Sequence, residues 1–179
     1  MDKYIFKSDR LGFRNWLETD IPLMAKINAD PEVMRFFPNT TDYEQTANHA
    51  KKMHNQFLEK GYCYFAVDQL SDGAFIGFIG LSYQNYEASF TPCVDIGWRL
   101  SQSAWGKGFA TEGAKKCLEY GFNRLNIKEI KAVCPVVNVP SENVMKKIGM
   151  QKELVFDHPA LGEFPNIEQC VLYGIKSNG

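Results

Sequence analysis

The chain has 179 residues, of which 45% are hydrophobic and 23% charged, and its formal net charge is -1 at pH 7. A chain of this length buries about 70% of its unfolded surface, which predicts a single domain over residues 1–179 and excludes a need for disulfides or metal. The balanced charge argues against a nucleic-acid partner, and the charged start MDKYIFKSDR, with no run of roughly 18 apolar residues anywhere, argues for a cytoplasmic protein without a membrane span.

Arg10 to Trp16 alternates apolar and polar residues like a half-buried strand, and Thr19 or Asp20 then caps a helix through Leu23, Met24 and Ile27. Residues 28–38 read as a turn-rich stretch. Asp42 opens a longer helix whose stripe of Tyr43, Ala47, Ala50, Met53, Phe57 and Leu58 keeps helical spacing until Gly61 stops it. Three strand-like runs follow, Tyr62 to Gln69, Ala74 to Tyr83 and Cys93 to Leu100, with Ser71, Asp72 and Gly73 turning between the first two. Such short links predict an antiparallel meander.

A second long helix shows Ala110, Ala114, Cys117, Leu118, Gly121, Phe122 and Leu125 on one face and ends near Asn126. Glu129 to Val136 reads as a buried strand and Ser141 to Ile148 as a short helix closed by Gly149; the last strands are Met150 to Phe156 and Glu168 to Ile175. Alternating strands and helices imply parallel pairing in this half. The predicted fold is α/β, a three-layer αβα arrangement with a mixed, mostly antiparallel central sheet and a parallel βαβ rear half.

The five cysteines (Cys63, Cys93, Cys117, Cys134 and Cys170) are odd in number, scattered, and free of CxxC pairs, so a reducing compartment and no metal site are expected. His49 and His54 stand five apart, off the i, i+4 spacing of a metal pair, and read as surface residues.

The most informative segment is WRLSQSAWGKGFATEGAKKCLEYGF, where a strand runs through a glycine turn straight into an amphipathic helix. That order exposes a helix N-terminus, whose amides and positive dipole end suit phosphate oxygens, and Gly106 and Gly108 let a ligand approach the backbone. Neither GxxxxGK nor GxGxxG is completed, so a nucleotide-kinase or dehydrogenase site is not indicated.

The segment resembles the pyrophosphate-binding motif of the GNAT acyltransferase superfamily, Q/R-x-x-G-x-G/A, with Gly106 and Gly108 at the glycine positions and Ser103 departing from the first. WGKGFATEGA is similar to the WGKGYATEA of the branch containing the ribosomal-protein N-terminal (alanine and serine) acetyltransferases. RLGFRNWLETDIPLMAKINADPEVMRFF looks like that branch's opening, and NVPSENVMKKIGM like its NxxSxxxxxKxGF segment. The resemblance implies an acetyl-CoA-dependent N-acetyltransferase acting on a primary amine, either a protein N-terminus or a small molecule. It implies that Trp105, Gly106, Lys107, Gly108, Phe109, Ala110 and Thr111 cradle the coenzyme A pyrophosphate, that Leu100 and Asn138 meet the pantetheine arm, and that Ser141 lies near the thioester sulfur.

The amine must be neutral to attack. A lysine-type amine gives up about 4 kcal/mol at pH 7.4 in losing its proton, an N-terminal amine under about 1, so a strong base matters mainly for the former. Candidate bases are Asp95, on the strand before the glycine turn, and His158 and Glu163 in FDHPALGEF. Trp98, Phe36, Phe37 and Phe164 are candidates to wall an acceptor pocket, and Cys170 stands where members of the resembled family often carry His. Direct attack in a ternary complex is expected, since Cys134 has no neighbouring His or Asp to activate it. A non-catalytic coenzyme A sensor and a binder of another phosphate ligand are the alternatives; monomer and homodimer both fit.

Overall fold

Short turns between alternating apolar runs leave neighbouring strands to pair antiparallel, and the computed structural model, which describes residues 3–177, shows that meander. The elements are β1 (Phe6–Lys7), β2 (Leu11–Arg14), α1 (Ile21–Asn28), α2 (Pro31–Met34), α3 (Tyr43–Lys60), β3 (Tyr64–Gln69), β4 (Phe75–Gln84), β5 (Cys93–Leu100), α4 (Phe109–Asn123), β6 (Glu129–Pro135), α5 (Val139–Lys147), β7 (Gln151–Asp157) and β8 (Gln169–Lys176). They build one sheet in the order β1-β2-β3-β4-β5-β6-β8-β7. Among the described residues only β5 and β6 pair in parallel, across the α4 crossover, so the predicted mixed sheet with a parallel βαβ unit is found. Behind it β8 inserts between β6 and β7 and pairs antiparallel with both.

Successive residues on a strand face opposite ways, and the two helical layers follow from that. Ser82 of β4 donates to Gln56 of α3 at 3.1 Å, which puts α3 on one face. Its neighbour Leu81 meets α4 on the other, where a Cβ on Gly121 would lie 2.9 Å from the Leu81 Cδ1 and one on Gly113 2.4 Å from the Ile79 Cδ1. Those two helical glycines let α4 lie close against the sheet. Asp42 and Gln45 form a capping box at the start of α3, and Gly61, at φ 75°, ends it.

Two buried cations on the α3 face of the sheet are each paired with carboxylates. Arg14 bridges Asp20 at 2.6 Å and Asp68 at 2.8 Å, tying β2 to β3 and to the start of α1. Lys131 bridges Glu153 at 2.7 Å and Glu129 at 3.0 Å.

Four details depart from the sequence reading. The two-residue β1 is too short for a periodic signal, and α2 sits inside the turn-rich stretch, started by Asp30 accepting from the Glu32 amide. On α3 the buried side is Thr46, Ala50, Met53 and Gln56, whereas Tyr43 and Leu58 are exposed. The short rear helix begins at Val139 rather than Ser141, because Asn138 caps it and leaves Ser141 in the first turn.

Candidate active site

β5 and β6 share a single bridge, Asp95 opposite Lys131, and then part. Ile96 to Arg99 on one side and Val133 to Pro135 on the other line a cavity of about 190 Å³ between the separating strands. Asn138, Ser141 and Met145 of the α5 region close one side, and Phe36, Phe37, His49, Tyr64 and Phe78 wall the other. The Ser101 amide donates to the Ile76 carbonyl at 2.9 Å, toward β4. Alternation of strand edges therefore turns the main-chain groups of Leu100, Trp98 and Ile96 toward the gap. The Leu100 carbonyl accepts from the Trp105 indole at 2.9 Å, a bond that fastens the glycine turn to the end of β5.

Asp95 is a cavity residue rather than a solvent-facing one. The Tyr64 hydroxyl donates to its Oδ1 at 2.7 Å, and Gln84 in turn donates to the Tyr64 oxygen at 3.2 Å. Burial pushes the Asp95 carboxyl up to about 6, against the lowering hydrogen bonds from Tyr64 and Gln84. Gly97 eases the contact, because a Cβ there would lie 3.1 Å from the Tyr64 ring and press it back by a few tenths of an ångström. A charge-assisted hydrogen bond contributes roughly 1.5–3 kcal/mol, or about one to two pH units. Tyr64→Phe should accordingly move the Asp95 titration, followed by carbon-13 NMR of its carboxyl, upward by about one unit; an unmoved or lowered midpoint contradicts the assignment.

Asn138 and Ser141 both line the cavity, and the cap is Asn138, whose Oδ1 accepts from the Ser141 amide at 3.2 Å. Cys134 lies beside them, and burial, with Cys170 and Glu142 nearby, pushes its thiol up to about 12. It is a neutral thiol at physiological pH. His158 is placed apart from the cavity: its Nδ1 accepts from the Ala160 amide at 3.2 Å and its ring centroid lies 4.7 Å from that of Tyr86. Glu163 is exposed, and neither Phe164 nor Cys170 lines the cavity. Trp98, Phe36 and Phe37 do.

Beyond the end of β5 the chain turns through Gly106 at φ 71° and Gly108 at φ 78°, backbone that side chains rarely adopt. Gly108 is the N-cap of α4, and the Glu112 amide makes the first bond back, to the Gly108 carbonyl at 3.0 Å. The amides of Phe109, Ala110 and Thr111 precede it and are the unsatisfied donors of a helix start. Lys107 is exposed and Phe109 buried under the Arg10 guanidinium, 4.6 Å from its ring. Arg10 also grips Glu112 through Nε at 2.7 Å and Nη2 at 2.6 Å, neutralising the carboxylate in the first turn of α4. Open space surrounds Gly106, where an added Cβ would meet nothing within 4 Å.

Residues 10–151 match the family described as acetyltransferase (GNAT) domain. The chain belongs to the GNAT acetyltransferase family. It is 33% identical over 148 residues to the uncharacterized N-acetyltransferase YnaD of Bacillus subtilis, covering 82% of each chain. A GNAT-family acetyltransferase from Bacillus anthracis superposes with a TM-score of 0.79 at 28% identity, covering 95% of this chain and 96% of that one. RimL, a ribosomal alpha-N-protein acetyltransferase solved in complex with coenzyme A, shares the fold with a TM-score of 0.76 at 18% identity, over 96% and 97% of the two chains.

As a GNAT acetyltransferase, the chain places several polar groups that the sequence reading passed over. Tyr64, Gln84, Arg99 and Asn28 carry no motif. His49, read as a surface residue, instead lines the cavity, and burial with the nearby Arg99 and Lys52 charges holds its ring down to about 4. Its position on the sheet-facing side of α3, one residue before the buried Ala50, was the available signal.

Proposed function

We propose that this GNAT enzyme transfers acetyl from acetyl-CoA to a primary amine by direct attack in a ternary complex, with Asp95 as the base. The observation that carries this reading is the parting of β5 from β6, which opens a cavity lined by Asp95 and Ser141 beside the strand whose end leads into the glycine turn. The residues suit the coenzyme: Gly106 and Gly108 allow a diphosphate to approach the backbone, and the amides of Gly106 to Thr111 with the α4 dipole favour its charge, the Trp105 amide being already bonded to the Gln102 carbonyl at 3.0 Å. The main chain of Leu100 and the Asn138 side chain take the pantetheine arm, and Lys107 adds positive charge at the surface.

In the transfer step the neutral amine forms the new C–N bond at the thioester carbonyl, and Asp95 takes the proton that the nitrogen sheds as it becomes an amide. The C–S bond then breaks and the sulfur leaves with a hydrogen bond from the Ser141 hydroxyl. A main-chain N–H at the β5 edge near Leu100 stabilises the oxyanion. The Cys134 thiol, held protonated, supports direct attack over an acyl-enzyme.

A thermal-shift comparison tests the cofactor. Acetyl-CoA at 100 times its Kd should add about 2.7 kcal/mol, several degrees of Tm for a chain of this size, with little effect from ATP. The reverse ranking would reject the coenzyme A reading in favour of another phosphate ligand.

A further inference from the structure

Buried cations in proteins are normally held by carboxylates, because an uncompensated charge away from water is costly. Arg14 and Lys131 each sit between two acidic side chains, and Arg99 does not. Arg99 lines the cavity, and no salt bridge joins it to a carboxylate among the described residues. Its Nη1 donates to the neutral Asn28 Oδ1 at 2.7 Å, and its guanidinium lies 4.2 Å from the Phe37 ring centroid and 5.5 Å from that of Phe78. The buried Nε has no hydrogen-bond partner. The Nε–Nη2 edge, a two-donor fork that matches the two oxygens of a carboxylate, is thus without a partner among the described residues. Burial lowers the guanidinium to about 10, which leaves it charged at neutral pH.

His49, on the same cavity, repeats the pattern with a buried, unpartnered Nε2 and a neutral ring. Asn28 belongs to α1 and Phe37 follows α2, so Arg99 faces the α1–α3 layer, across the sheet from the α4 helix proposed to carry the diphosphate. Asp95 and Arg99 lie four residues apart on one face of β5, about 13 Å between Cα atoms at strand rise. Gly97 is the small residue between them.

We infer that the acetyl acceptor is a small primary amine that also carries a carboxylate, which Arg99 binds while the amine meets Asp95; this rests on the transfer reading above. A polyamine would instead set a second cation against Arg99.

The test is kcat/KM for amino acids, their carboxamides, phosphate-bearing amines and spermidine, by free-thiol release and mass spectrometry. The acid should exceed its matched carboxamide at least about tenfold in the native enzyme. That ratio should fall to within about threefold in Arg99→Gln, and Arg99→Lys, which keeps the charge and loses the fork, should fall between. Carboxamides or spermidine equalling the acids, a phosphate-bearing amine outrunning them, or selectivity surviving Arg99→Gln would each overturn the assignment. Calorimetric titration of the acids into native and Arg99→Gln protein reads the site without turnover. Arg99-dependent binding with no amine acetylated would keep the anion site and end the transfer reading, whereas turnover indifferent to the carboxylate ends only the anion site.

Discussion

Asp95→Asn should lower kcat by about 10²–10⁴ at pH 7.5, the usual range for loss of a general base, while making the folded enzyme more stable. The two effects share one cause. Burial raises the Asp95 carboxyl from its ordinary 3.8 to about 6, so its favourable contribution to folding is complete below about pH 4 and is lost as pH rises through 6. Above pH 6 the buried carboxylate costs up to about 3 kcal/mol, which an amide of the same shape removes. The melting temperature of Asp95→Asn should therefore exceed that of the native protein at pH 7.5, with the advantage fading toward pH 4. In the native enzyme kcat/KM for an uncharged-state amine analogue of low pKa should fall below about pH 6, and the limb should be absent from the variant. A variant that is both active and no more stable would remove Asp95 from the mechanism.

Gly108→Glu should reduce acetyl-CoA affinity by more than about a hundredfold and leave the fold intact. A side chain at φ 78° is strained by about 1–2 kcal/mol, but the space around it is open, since an added Cβ would lie 3.6 Å from the Arg10 Nη2 and touch nothing closer. The new carboxylate would stand at the helix start proposed for the diphosphate, where like charge repels. Gly108→Ala supplies the comparison, carrying the strain without the charge. Calorimetry should show the alanine variant binding far more tightly than the glutamate variant, and equal binding by the two would move the diphosphate away from this turn.

The meander and the α4 crossover were readable because alternation, hairpin residues and helical spacing agreed over long runs. The placement of β8 was not, since nothing local in residues 169–176 says which neighbour they take. The glycine turn was legible from Gly106 and Gly108 because positive φ demands particular residues. The acid–base end was legible only as Asp95 on a strand. Its meeting with Tyr64 depends on the register of β3, β4 and β5 and on the missing side chain of Gly97, both long-range facts. Arg99 looked like one more strand arginine until the absence of a paired carboxylate became visible in three dimensions. Asn138 is the cap of α5, which leaves the Ser141 hydroxyl outside that role.

The lone rung between β5 and β6 carries a mechanical consequence. The sheet is two stiff plates, five strands and three, laced at one point along their common border, and the residue at that lacing is the proposed proton acceptor. In the proposed site, a coenzyme arm held between the plates would press on the strand that carries Asp95. Mutations in the β6-β8-β7 plate should then shift the Asp95 titration.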